Sequence, residues 1–322
     1  MHAAAINLRG GVSPRNTRLR GQSIIEYVLI VAVIGLVVVF AGPGVAGAIR
    51  NQFNQVTNTV DSGTEGDGFL SAEEKAMKTI ANKEAKDWTL DEQKAAATDI
   101  AKNGTSSVVY AKAKAAMDAG VKFRMKLANG QTLEYRIIGI GHDDLADGSG
   151  KAGLTFLTTS TGISSSMNAT GTNAGGWEKS ELRQKMNGGE IWNLMPSDFR
   201  SKVKTVKKLT NNVGGGSANK DAVVTATSDR LFLLSYSEIV PTSAWASSYP
   251  WSSSEGTQYE AFKGKVVNNS GSKLDLFTGA YWWERSVNPS DTVNFLSIDS
   301  DGNLSHPGSA GNSRNVFLAF CF

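Results

Sequence analysis

Residues 121–137 read VKFRMKLANGQTLEYRI. Val121, Phe123, Met125 and Leu127 alternate with Lys122, Arg124 and Lys126, the period of two that marks a half-buried strand. Asn129-Gly130 is a turn dipeptide, because both residues tolerate the left-handed backbone that tight hairpins need. Leu133, Tyr135 and Ile137 then resume the alternation, so the stretch predicts a β-hairpin. It also marks a change of character. Helical periods dominate upstream, and short apolar runs joined by Gly-, Ser- and Asn-rich connections dominate downstream.

Upstream, residues 71–120 are rich in Ala, Lys and Glu. Ser71 and Glu74 have the spacing of a capping box. Thr89 is placed to cap a helix beginning near Leu90, with Gly104 to end it, and residues 110–117 suggest a third helix. Asp61-Ser62-Gly63-Thr64-Glu65-Gly66-Asp67-Gly68 reads as an acidic linker. Residues 61–120 are therefore expected to be a linker and helical spacer with little chemistry of their own. Downstream, apolar runs at 154–157, 231–234, 293–298 and 316–322 suggest strands, and 177–209 supplies helix. Residues 121–322 are thus expected to form an irregular α+β domain.

Landmarks follow in order within that domain. They are Gly175-Gly176-Trp177 with Ser180 and Arg183; Met195-Pro196-Ser197-Asp198-Phe199; Leu233-Leu234-Ser235-Tyr236-Ser237-Glu238; Tyr281-Trp282-Trp283-Glu284-Arg285-Ser286; and Arg314-Asn315-Val316-Phe317-Leu318-Ala319-Phe320. Their order resembles a bacterial domain family of unassigned function found on secreted proteins. Its fold is similar to the C-type-lectin and formylglycine-generating-enzyme group. Ser313 stands where that family usually has a glycine. The resemblance implies that Trp177, Trp192, Trp282 and Arg285 hold the fold together, and that ligand contacts concentrate late in the chain. It also implies that a retroelement could diversify that late segment.

Residues 21–40 read GQSIIEYVLIVAVIGLVVVF, an apolar run broken by Glu26. Ahead of it Arg9, Arg15, Arg18 and Arg20 stand in a leader without acids. A carboxylate in hydrocarbon costs at least ~2.5–3.5 kcal/mol, so one placed there usually has a partner. A secretory signal has an apolar core of about 7–15 residues followed by its cleavage site, whereas here the glycine comes first. A plain anchor fits the length of about 20 residues and leaves Glu26 unexplained. Gly21-Gln22-Ser23-Ile24-Ile25-Glu26-Tyr27 resembles the processing site of Flp-type (Tad, type IVb) prepilins. That resemblance implies a leader, 1–21, cleaved between Gly21 and Gln22 by a prepilin peptidase. It implies a pilin-type transmembrane helix within 22–60, with Glu26 and Tyr27 serving filament assembly against other pilin subunits. The chain would be inserted in the membrane first and then lie outside the cell, on a pilus or the cell surface.

Composition excludes other classes. The formal charge is +3 over 322 residues, and four of the cations sit in the leader, so a nucleic-acid role loses its support. Cys321 is the sole cysteine, which rules out an intrachain disulfide and a thiolate metal cluster. His2, His142 and His306 have no ligand-like spacing, and no nucleophile elbow or phosphate loop occurs. No enzymatic activity is expected.

Two regions are candidates for ligand contact. Trp245, Tyr249, Trp251 and Tyr259 lie in a loop-like stretch where aromatic rings would either stack a glycan or protein ligand or cover a loop-rich core. Ser290, Asp291, Asn294, Ser297, Asp299, Asp301, Asn303, Ser305 and His306 make the late segment dense in short polar groups. No cofactor is expected, although two patterns resemble calcium loops. Glu65, Asp67, Gly68, Leu70 and Glu74 match the later positions of a helix-loop-helix calcium site, yet Gly63 replaces the first ligand. Residues 299–303 fit either a hard-cation site or a hairpin turn. The function expected is a minor or tip pilin carrying an adhesin-like domain. A non-polymerising surface receptor and a purely structural pilin remain as alternatives.

Overall fold

A computed structural model describes residues 70–212, 223–241, 250–268, 279–288 and 291–322. Residues Ser71–Phe322 form one compact α+β unit. The helices come first: α1 (Ala72–Asn82), α2 (Leu90–Asn103) and α3 (Tyr110–Ala119). The expected Ser71–Glu74 capping box is present, and Thr89 forms a second one with Glu92. Gly104 ends α2 at φ 55°, and Gly120 ends α3 at φ 66°, conformations that glycine adopts without a Cβ penalty.

The hairpin pairs β1 (Phe123–Lys126) with β2 (Thr132–Ile140), Phe123 opposite Tyr135 and Met125 opposite Leu133. Its loop spans residues 128–130. Gly130 donates its N–H to Leu127 O at 2.9 Å and takes φ 87°, the left-handed position of a three-residue hairpin. Further strands are β3 (Leu154–Thr158), β4 (Ser164–Ser165), β5 (Val206–Asn211), β6 (Val224–Asp229) and β7 (Leu231–Phe232). Then come β8 (Trp282–Val287), β9 (Asn294–Ile298), β10 (His306–Ser309), β11 (Arg314–Asn315) and β12 (Ala319–Cys321). Short helices α4 (Gly176–Lys179), α5 (Glu181–Asn187), α6 (Glu190–Leu194), α7 (Ser197–Arg200) and α8 (Tyr236–Ile239) lie between strands.

The strands make a sheet in the order β1-β2-β3-β12-β7, a second in the order β10-β9-β8-β11-β4, and the ribbon β5-β6. The end of the chain serves both five-stranded sheets. β11 pairs in parallel with β8, and a few residues later β12 lies between β3 and β7. Phe320 on β12 is ringed by Tyr135, Phe156 and Phe199 at centroid distances of 5.3, 5.2 and 4.7 Å. That aromatic cluster is the centre of the core.

The expected fold class needs two corrections. No helix among the described residues is long and apolar enough to cross a membrane. The region where a transmembrane helix was expected, 22–60, lies outside the described residues, as do Gly21, Gln22, Glu26 and Tyr27. The second correction concerns the helices of 72–119, which belong to the same unit as the sheets and are not a separate spacer. Ala96, Ala97, Ala113 and Ala116 are buried because small side chains let these helices approach the sheet closely. Tyr135 donates its hydroxyl to Gln93 of α2 at 3.0 Å, and Arg136 donates to Met117 O of α3 at 3.0 Å.

Gly153, just before β3, shows how close that approach is, because a Cβ there would stand 1.8 Å from Ala97 O. Gly153→Ala should therefore cost about 1–3 kcal/mol or more by forcing α2 off the sheet. Urea unfolding would measure it, and an unchanged midpoint would reject the close docking.

Candidate functional site

Six charged side chains of the described interior, far apart in the sequence, form one cluster. Lys208 on β5 places its ammonium 2.6 Å from Asp143 and 2.5 Å from Glu238, with 3% of its side chain exposed. Arg285 on β8 grips Glu238 with two guanidinium nitrogens, at 2.5 and 3.0 Å, and donates to the carbonyls of Leu233 and Glu255. Tyr259 and Thr155 donate their hydroxyls to Asp143 at 2.9 and 2.6 Å. Glu238 is itself locked by the capping box that Ser235 opens at α8. Burial alone would raise the Asp143 carboxyl, but Lys208 and these hydrogen bonds hold it well below the usual range. Glu238 is lowered likewise, with Arg285 and then Lys208 overcoming its desolvation.

Glu255 and Glu284 complete the six. Glu255 accepts from Ser286 Oγ at 2.5 Å and from Asn211 N at 3.1 Å, and burial pushes its carboxyl up to about 7. Both oxygens of Glu284 are buried without a partner, and desolvation together with the nearby Glu255 pushes it far above the carboxylate range.

The polar residues of the late segment are mostly spent on the backbone. Asp291 accepts from the N–H groups of Val293 and Asn294 and from both amide side chains, Asn288 and Asn294. Ser297 is buried and donates to His306 O at 2.8 Å. Asp299 accepts from Asp301 N, Asn303 N and Asn303 Nδ2 at 2.9, 2.9 and 2.6 Å, with Gly302 at φ 85°, so residues 299–303 are a hairpin turn. Asp301 and Asn303 are exposed on that turn, and Ser305 is half-buried beside it. Among the described residues no group of three or more His, Cys, Asp or Glu is placed to hold a metal ion. Ser290, Trp245 and Tyr249 lie outside the described residues, as do Glu65, Asp67 and Gly68. Trp251 falls in the 3-10 turn Pro250–Glu255. Tyr259 is no platform, because it is fully buried and stacks on His142 at 4.0 Å.

One surface of the second sheet differs. His306, Ser297 and Trp283 are cross-strand neighbours on β10, β9 and β8, and Tyr281 precedes β8 two residues from Trp283. The Arg314 guanidinium lies over both rings, 4.7 Å from the Tyr281 centroid and 5.1 Å from that of Trp283. Gly308 makes this possible, since a Cβ there would stand 2.7 Å from Arg314 Nε and 2.6 Å from Trp283. Tyr281 is 41% exposed and meets the His306 ring edge-on at 5.4 Å. Arg314 Nε, Arg314 Nη1 and His306 Nδ1 are buried without a hydrogen-bond partner, so any ligand must meet the guanidinium at its other edge. Ser313, which stands where a glycine was expected, causes no strain, as no non-glycine residue among those described takes a positive φ.

The signals for these features were present but dispersed. Lys208 lies in an otherwise strand-like run, and Glu284-Arg285 interrupts an apolar one, while Arg314 and Tyr281 were legible only as landmarks.

By its fold the described part of the chain is a compact α+β domain with an ionic interior. The model of a family described as a domain of unknown function (DUF6273) matches residues 152–321, more than half of the chain, and the chain belongs to that family. No curated protein matches, and no solved structure does.

The network predicts an acid dependence. Asp143 and Glu238 have folded pKa values below their unfolded ones, so their stabilisation is complete above about pH 4.5 and is lost as pH falls through the folded values. Chemical denaturation should show stability dropping on acidification below about pH 4.5. Lys208→Met should cost about 3–5 kcal/mol at pH 7 by stranding two carboxylates, and should flatten that drop. An equally steep drop in the variant would remove Lys208 from the account.

Proposed function

We propose that this chain is a pilin-class subunit of the Flp/Tad type that displays the 71–322 domain outside the cell as a ligand-binding unit. The observation that carries the binding half is the arginine on the second sheet. Arg314 is half-buried against two rings and stands beside an exposed tyrosine. Burial lowers its pKa, so an incoming anion would relieve its partial desolvation. Tyr281 offers a ring face to a sugar, and the guanidinium offers hydrogen bonds to a carboxylate or sulfate on it. The ligand class is therefore an acidic glycan of a host or bacterial surface. The sequence Gly21-Gln22-Ser23-Ile24-Ile25-Glu26-Tyr27 supports the delivery half. It calls for a prepilin peptidase and for neighbouring pilin subunits as partners.

Purified protein on an array of carboxylated, sulfated and neutral glycans should bind the acidic ones saturably. Arg314→Met should weaken that binding about 10–100-fold, the worth of one charge-assisted contact, without changing the unfolding midpoint greatly. Binding only to acidic proteins, or indifference to Arg314→Met, would overturn the assignment. For the delivery half, N-terminal sequencing of surface-sheared protein should begin at Gln22, and Gly21→Val should leave the precursor uncut. Surface protein that retains its leader would sink that half while leaving the binding half standing.

A further inference from the structure

The charges within the Lys208–Arg285 cluster do not balance. Asp143, Glu238, Glu255 and Glu284 are four carboxylates enclosed with two cations, Lys208 and Arg285. Lys208 and Arg285 are committed to Asp143 and Glu238, at contacts between 2.5 and 3.0 Å. That leaves Glu255 and Glu284 with a formal surplus of two negative charges. An isolated pair of buried carboxylates is too costly to stay ionised, so two protons or one divalent cation must neutralise it.

The oxygens around this pair are under-used in a particular way. Glu284 is completely buried, and neither of its oxygens has a partner. Glu255 holds Ser286, two residues along β8 from Glu284, so the two carboxylates stand against the same strand. Asn211 donates its backbone N–H to Glu255 and its Nδ2 to Ser254, which leaves Asn211 Oδ1 buried and unpartnered. These unpartnered atoms are all acceptors. Arg285, Lys208, Glu238 and Asp143 are the other charged groups of the cluster, and none of them donates to Glu284 or to Asn211 Oδ1. One water donates to at most two of these oxygens and one proton serves a single one, whereas a metal ion can take all of them as ligands.

We propose that a divalent cation of calcium's hard, oxygen-seeking class binds between Glu255, Glu284 and the Asn211 side-chain oxygen. The donor set is all oxygen, which disfavours zinc and copper. Calcium fits better than magnesium, because magnesium keeps several waters and demands near-octahedral order. Calcium accepts irregular carboxylate and amide ligands. This site lies in the core, is separate from the Arg314 surface, and does not depend on the proposed ligand or on pilus assembly.

The test is thermal unfolding and isothermal titration of the full chain, stripped with a chelator and then given calcium chloride. Calcium in the millimolar range, the affinity class of extracellular modules, should raise the unfolding midpoint by several degrees. Titration should report one ion per chain. Glu284→Gln keeps the shape of the side chain and removes a buried acid, so it should fold at least as well as the parent. It should lose the calcium response and at least ten-fold in affinity. Asn211→Asp, which adds a charged oxygen at the amide position, should keep or strengthen the response. No response by the parent protein, with the pair neutralised by protons alone, would overturn the proposal. So would a response of equal size in Glu284→Gln, and so would magnesium acting as well as calcium.

Discussion

Lys208 has its ammonium enclosed between two carboxylates, and the described structure is arranged around that arrangement. Asp143 follows β2, Lys208 lies on the β5-β6 ribbon, Glu238 sits in α8, and Arg285 belongs to the second sheet. A single chain of ion pairs thus joins both five-stranded sheets and the ribbon. Buried ion pairs gain little against apolar residues of similar volume, but breaking one is expensive, because the partner is left charged in a dry interior. Alternative packings that separate any of these elements strand a charge. The network therefore acts on uniqueness more than on gross stability.

Around it the ordinary forces supply the bulk. Phe320 and its aromatic ring of neighbours close the first sheet, and Trp282 stacks on Phe317 at 4.9 Å in the second. Alanine-lined helices seal the outer face of the first sheet. The Arg314 surface lies on the second sheet, where β10 and β11 bring His306 and Arg314 to the Tyr281 ring. Two arginines of the second sheet thus have opposite surroundings. Arg285 has its carboxylate and several carbonyls, while Arg314 has rings alone.

What could be read directly from the sequence was local. The capping box at Ser71, the helix start after Thr89, the stop at Gly104 and the hairpin at Asn129-Gly130 depend on residues a few positions apart, and each was found where expected. The interior network escaped because Asp143, Lys208, Glu238 and Arg285 meet only through the tertiary fold. The late polar segment was legible as polar, and two of its carboxylates serve turns. Asp291 and Asp299 give their oxygens to turn N–H groups, a use that composition cannot separate from ligand binding. The helices of 72–119 carried no long-range signal of their own, and only the small residues Ala96, Ala97 and Gly153 hinted that they dock.

The position of β12 has a consequence for how the protein comes into being. Its neighbours, β3 and β7, are made more than a hundred and about ninety residues earlier, respectively, and have no hydrogen-bonded contact with each other until it arrives. The first sheet stays split in two until that strand is made.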